Sequence, residues 1–149
     1  SAGWRRIWKG RGLNRLIVPD GFVPHTRKSS VTTPWEPLYA CVTADAFILG
    51  LHIRPEHCNG RGLLHGGVIA ALADNAMGLS AALRYDPAPG LVTVNLSVDY
   101  LGMAKLGQWV DFTTIFVKTG ATLAFTSCLI NADGVPCAKA AATFRVGPR

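Results

Sequence analysis

Apolar and polar positions divide the chain into an irregular start, a long uncharged apolar run and a series of strand-like segments. The first 36 residues are punctuated by Gly10, Gly12, Pro19, Gly21, Pro24 and Pro34 and predict an arm without a core element. Residues 39–53 are, apart from Asp45, β-branched, aromatic or apolar and predict a strand or a hairpin pair, ended by Pro55. Residues 57–64 hold Asn59, Gly60 and Gly62 and predict a loop. From Gly66 to about residue 84 the run is helical, stopped by Asp86-Pro87 and Pro89-Gly90. Beyond it, residues 91–101, 108–118, 123–131 and 136–146 predict strands, with alternation visible in Val92, Val94, Leu96 and Val98. The short turns at Lys118-Thr119-Gly120 and Asp133-Gly134 make neighbouring strands antiparallel hairpins.

One helix must therefore cover one face of an antiparallel sheet of about five to six strands, an α+β arrangement in a single layer pair. On that helix Gly67, Ala70, Ala71, Gly78 and Ala81 share a stripe with Asp74, while Ile69, Leu72, Ala76 and Leu83 supply bulk elsewhere. Small neighbours leave space around the carboxylate. No internal repeat interrupts the pattern, so the organisation is an N-terminal basic arm, residues 1–36, followed by one domain, residues 37–149.

Composition narrows the class. A chain of 149 residues with 49% apolar and 16% charged residues is long enough to bury a core. The longest apolar stretch is broken by His65, Asp74 and Asn75, which argues against a membrane span. The basic start lacks the apolar region of a signal peptide. Cys41, Cys58, Cys128 and Cys137 form no CxxC pair and read as reduced thiols, so a cytoplasmic location is expected. The net charge of +6 is concentrated in Arg5, Arg6, Lys9, Arg11, Arg15, Arg27 and Lys28. A solvated arm or a phosphate-bearing small ligand accounts for it. Nucleic acid is not expected, because no helix-turn-helix, zinc-finger or RNA-recognition signature accompanies the charge.

The chemistry begins at His65-Gly66-Gly67, with Asp74 eight positions beyond Gly66. In a helix starting there, Gly66 lies in the first turn, where amides lack intrahelical partners and the dipole favours negative charge, so an oxyanion is held well. Asp74 lies two turns along, roughly 12 Å away at 1.5 Å per residue. One chain cannot bring both groups to the same carbonyl, which points to a site shared between subunits. Other chemistries lack their motifs. No GxSxG elbow is present, the run 60–65 fails the dinucleotide pattern at its last position, and no P-loop occurs. His57, Cys58 and His65 match no zinc spacing, so neither metal nor cofactor is expected. An oxyanion donor plus a carboxylate suits attack on an acyl carbonyl, and a thioester needs no strong general acid because its thiolate leaves readily. Asn59 either orients water or the substrate carbonyl or simply serves its own turn.

Residues 59–75, NGRGLLHGGVIAALADN, resemble the signature of the hotdog-fold acyl-CoA thioesterases, in the branch of the phenylacetate-pathway enzymes and human thioesterase superfamily member 2. The likeness continues through residues 94–100, Ala104-Lys105-Leu106-Gly107 and residues 118–127. It implies a hotdog fold, with the sheet wrapped around one long central helix, and a homodimer or a dimer of dimers. It implies that the Gly66 NH polarises the thioester carbonyl with help from Asn59, that Asp74 comes from the partner as general base or nucleophile, and that Thr93 helps place the attacking water. His65 braces the loop before the helix or meets substrate beside Gly67 and Gly78. Arg84, Lys105, Lys118 and Lys139 are candidates for the coenzyme A phosphates. Some relatives carry a hydroxyl residue where this chain has Gly78, so an aromatic acyl group is not implied. The alternative is a non-catalytic acyl-CoA sensor on the same fold, and a hotdog dehydratase comes third.

Overall fold

The helix begins where a side chain can replace its missing hydrogen bonds. His65 is extended (φ −64°, ψ 133°), and its Nδ1 accepts from the Gly67 amide, capping α1 (Gly66–Ala82). In this computed structural model, which describes residues 17–148, the helix ends two residues before the expected 84, and the Arg84 and Tyr85 amides fold back onto the Ala81 and Ala82 carbonyls. Its buried side is formed by Val68, Ile69, Leu72, Ala73, Ala76, Met77, Ser80 and Ala81. Ala81, expected in the small stripe beside Asp74, thus belongs to the core, and Leu83, read as bulk, is exposed.

Among the described residues seven antiparallel strands form the sheet: β1 (Val23–Pro24), β2 (Tyr39–Val42), β3 (Phe47–His52), β4 (Leu91–Tyr100), β5 (Trp109–Thr119), β6 (Leu123–Ala132) and β7 (Val135–Val146). Their order is β1-β2-β3-β5-β6-β7-β4. The hairpins β5-β6 and β6-β7 follow from their turns, the second a tight Asp133-Gly134 pair with both φ angles positive (46° and 81°). Between β3 and β4 the chain crosses the sheet face as α1, so β3 pairs with β5 and β4 is carried to the far edge beside β7. Inward residues Leu49, Leu51, Val110, Phe112 and Ile130 meet Leu72, Ala76 and Met77 of the helix in one core. No helix among the described residues is long and apolar enough to cross a membrane.

The strand count exceeds the expected five to six because of β1, which lies in the segment read as an arm. Val23 and Pro24 pair with Ala40 and Tyr39 at the sheet margin, where a proline's missing donor is tolerated. From the same segment Phe22 packs edge-on against Trp109, with ring centroids 5.1 Å apart, and His25 packs against Phe47. The Trp109 indole lies so close over β3 that a Cβ at Gly50 would come within 2.3 Å of it. The basic residues Arg5, Arg6, Lys9, Arg11 and Arg15 lie outside the described residues.

Two local features set how the helix and the sheet meet. Ser80 Oγ accepts from the Phe47 amide (3.0 Å) and donates to Thr114 Oγ1 (2.9 Å), a buried link from α1 to β3 and β5. In β4 the register slips between Thr93 and Asn95, so Val94 is an extra residue against β7. That bulge splits the apparent alternation. Leu96 and Val98 pack on the core while Val92 and Val94 are more than half exposed, so the four do not share a face.

Candidate functional site

The loop before α1 is built by short-range hydrogen bonds. Cys58 bridges to Leu64 and Leu63 to Lys105. Asn59 Oδ1 accepts from the Arg61 amide (2.9 Å) and the Leu63 amide (3.3 Å), so its carbonyl is spent on its own turn. The expected role of both donating and accepting narrows accordingly. The side-chain NH2 donates to no described residue and is the part left for a ligand. His57, fully buried, accepts at Nδ1 from the Arg54 amide (2.9 Å) and donates from Nε2 to the Trp35 carbonyl (2.8 Å). Burial lowers its pKa, and with both ring nitrogens engaged it is a neutral strut.

At the start of α1 the cap uses one amide and leaves another. Gly67 NH goes to His65 Nδ1 at 2.8 Å, and the Ile69 amide closes onto the His65 carbonyl at 3.1 Å. The Gly66 NH carries no such bond within the described residues and stands at the positive end of a helix of 17 residues. On its other side Tyr100, the last residue of β4, donates its hydroxyl to the Gly66 carbonyl at 2.6 Å. Tyr100 escaped the sequence reading, since only the pairing of β4 with β7 brings it to the helix start. A cavity of about 350 Å³ opens beside this turn, lined by Trp35, His57, Cys58, His65, Gly67 and Val68. Burial and the nearby Glu56 push the Cys58 thiol above its usual pKa, so it is no ready nucleophile.

Asp74 is half-buried on the helix face turned away from the core, and Thr93 Oγ1 donates to its Oδ1 at 2.7 Å. The bulge after Thr93 allows this strand to turn Thr93 and, further on, Leu96 and Val98 toward the helix. One carboxylate oxygen is thus held and Oδ2 is left open. Gly78, one turn later, faces the Phe144 ring, which a Cβ there would meet at 3.4 Å. The structure therefore brings Asp74 and Thr93 together, and His65, Gly66 and Gly67 together where the Asn59 loop runs into the helix, as two clusters two helical turns apart, a rise of roughly 12 Å.

The candidate cations divide in the same way. Lys105 is next to the Asn59 loop through its bridge with Leu63. Arg84 lies past the other end of α1, where its guanidinium donates to the Asp45 carbonyl (2.8 Å), and Tyr85 ties that end to Gly120 in the turn after Lys118. Lys139 faces Asp99 at 3.9 Å on the exposed sheet surface. Among the described residues no cluster of His, Cys, Asp or Glu is disposed to hold a metal ion.

The chain as a whole is similar to known proteins. A sequence model of the thioesterase superfamily matches residues 61–138. A provisionally named esterase of Pseudomonas aeruginosa is 32% identical over 132 residues, 88% of this chain and 98% of that protein. Acyl-coenzyme A thioesterase 13 of Homo sapiens is 40% identical over 80 residues, 54% of this chain and 56% of that protein, so the match takes in about half of either. The crystal structure of zebrafish thioesterase superfamily member 2 superposes with a TM-score of 0.68 at 25% identity, covering 74% of this chain and 81% of that one. The architecture is that of the hotdog fold.

Proposed function

The chain belongs to the thioesterase superfamily, and on that premise we propose that it hydrolyses an acyl-CoA thioester at a site completed by two copies of the chain. One observation carries the reading: an oxyanion donor and a held carboxylate lie on one helix, too far apart for one carbonyl, beside a long strand, and no described residue pairs with that donor or with the strand's outer edge. Among the described residues that strand, β4, has β7 as its one neighbour, and it exposes Val92 and Val94. An open strand edge of ten residues is a template for pairing.

An antiparallel pairing of β4 with its copy about a two-fold axis at Ser97 keeps the inward faces together. Leu96 then faces Val98 of the partner subunit. With Val94 as the extra residue, Thr93 faces the partner's Tyr100, which touches the Gly66 turn of its own chain. Each site then combines Asn59, Gly66 and Lys105 of one chain with Asp74, Thr93, Arg84 and Lys118 of the other.

Chemically, the thioester carbonyl accepts from the Gly66 NH and the Asn59 amide, which take up the charge that grows on oxygen during attack. The partner's Asp74, held at Oδ1 by Thr93, uses Oδ2 either to remove a proton from an attacking water or to attack directly. A C–O bond forms, the C–S bond breaks, and coenzyme A departs as a thiolate that water protonates. In the nucleophilic case water then cleaves the mixed anhydride. Free thiol release from a panel of acyl-CoAs tests the proposal with Asp74→Ala beside wild type. Release by wild type alone is expected, and equal release by both overturns it.

A further inference from the structure

Tyr100 stands out for what it touches and for how little of it is buried. Its hydroxyl donates to the Gly66 carbonyl at 2.6 Å, and its ring covers that glycine so closely that a Cβ on Gly66 would lie 3.2 Å from Cζ and Oη. Yet the residue is 54% exposed, so it adds little to the core. The carbonyl it holds belongs to the peptide between Gly66 and Gly67, whose NH is taken by His65 Nδ1 at 2.8 Å. That peptide plane is therefore gripped at both ends, once from within the helix start and once from β4. The adjoining peptide, joined to it through the Gly66 Cα, carries the free Gly66 NH and is itself held at its carbonyl by the Ile69 amide at 3.1 Å, so Tyr100 completes the set of bonds that orients the two planes. Glycine at 66 fits the same arrangement, because a methyl group would push the ring away.

We propose that Tyr100 is a positioning residue, locking the first turn of α1 so that the Gly66 NH points at the reacting carbonyl. The inference rests on the thioesterase reading of the same site. Tyr100 acts through Gly66 and forms no bond to substrate. Its position also explains why the strand that supplies the subunit edge ends in a hydroxyl-bearing aromatic: pairing of two β4 strands and orientation of the oxyanion donor are then set by one element. A donor held in advance lowers the barrier without tightening the ground state, so the effect belongs in kcat and not in KM.

Tyr100→Phe keeps the ring and removes the hydroxyl. With an acyl-CoA that wild type hydrolyses, kcat is expected to fall about 5- to 10-fold, the scale of one hydrogen bond, while KM stays within about 2-fold. The thermal midpoint should hold, and deuterium exchange of the amides at residues 66–70 should quicken. An unchanged kcat overturns the proposal, as does a fall in kcat that only follows a fall in thermal midpoint. A wild type that releases no thiol sinks the thioesterase reading instead, and exchange then decides the inference alone, since unaltered rates in the first turn show that Tyr100 holds nothing.

Discussion

Replacing Thr93 with valine removes one hydroxyl and little else. Valine has the same shape and is a good strand former, so β4 and its bulge should persist. What is lost is the 2.7 Å bond from Oγ1 to Asp74 Oδ1. A hydrogen bond to a charged acceptor is worth about 1.5 to 3 kcal/mol where water is excluded. Thr93 is exposed in the isolated chain and water can replace it there, so the low end applies. About 1.4 kcal/mol in the barrier is a tenfold fall in kcat. Continuous assay of thiol release from an acyl-CoA should show that fall with KM little changed, and Thr93→Ser should recover most of the rate. If Thr93→Val turns over at the wild-type rate, or if Thr93→Ser falls as far, the hydroxyl does not hold the carboxylate for catalysis and the reasoning fails.

Three further outcomes follow from the packing, the histidines and the proposed pairing. Ser80→Ala leaves the Phe47 amide without its acceptor in the core and should cost about 1 to 3 kcal/mol, read as a lower urea midpoint at unchanged slope; an unmoved midpoint would show that the link is not structural. Burial lowers the pKa values of His25, His52 and His57, so the unfolded chain takes up protons that the folded chain refuses. Stability from these groups is complete above the unfolded value near pH 6.5 and is lost as pH falls toward their folded values, so denaturation midpoints should drop between about pH 7.5 and 5.5. Asp111, pushed up by burial, works in the opposite sense, and a midpoint that rises over this range contradicts the assignment. Ser97→Cys should form an intersubunit disulfide under mild oxidation, because directly opposed residues of antiparallel strands have Cα atoms about 4.5 to 5.5 Å apart; a variant that stays uncrosslinked as a dimer rules out the two-fold at Ser97.

The hairpins and the helix were legible because their signals are local. Asp133-Gly134 dictates a tight turn, and the change from a small-residue apolar run to alternating strands marks the end of α1. Strand order was not legible, since the partner of β4 is decided by the helix crossing the sheet and not by any residue within β4. The valines at 92 and 94 misled for a related reason: alternation assumes an unbroken register, and the bulge at Val94 turns one half of the strand over relative to the other. In the site, the distance between Gly66 and Asp74 could be counted along a helix. The roles of side chains on other elements could not. Asn59 spends its carbonyl on its own loop, Arg84 and Lys105 lie at opposite ends of α1, and Tyr100 reaches Gly66 across the fold. Each is a contact between segments distant in sequence, which periodicity does not encode.

The shared site is tested most directly by complementation. Co-expression of an Asp74→Asn chain with a Gly66→Pro chain, in which proline at the first helical position removes the donor NH, each carrying a different tag so that mixed dimers can be isolated, gives dimers in which one site holds both defects and the other holds neither. Each variant alone should be inactive, and an unfractionated random mixture should regain about a quarter of wild-type activity, since half the dimers are mixed and each has one intact site of two. Mixed dimers no more active than the separate variants would place both groups in one chain's site and contradict the account.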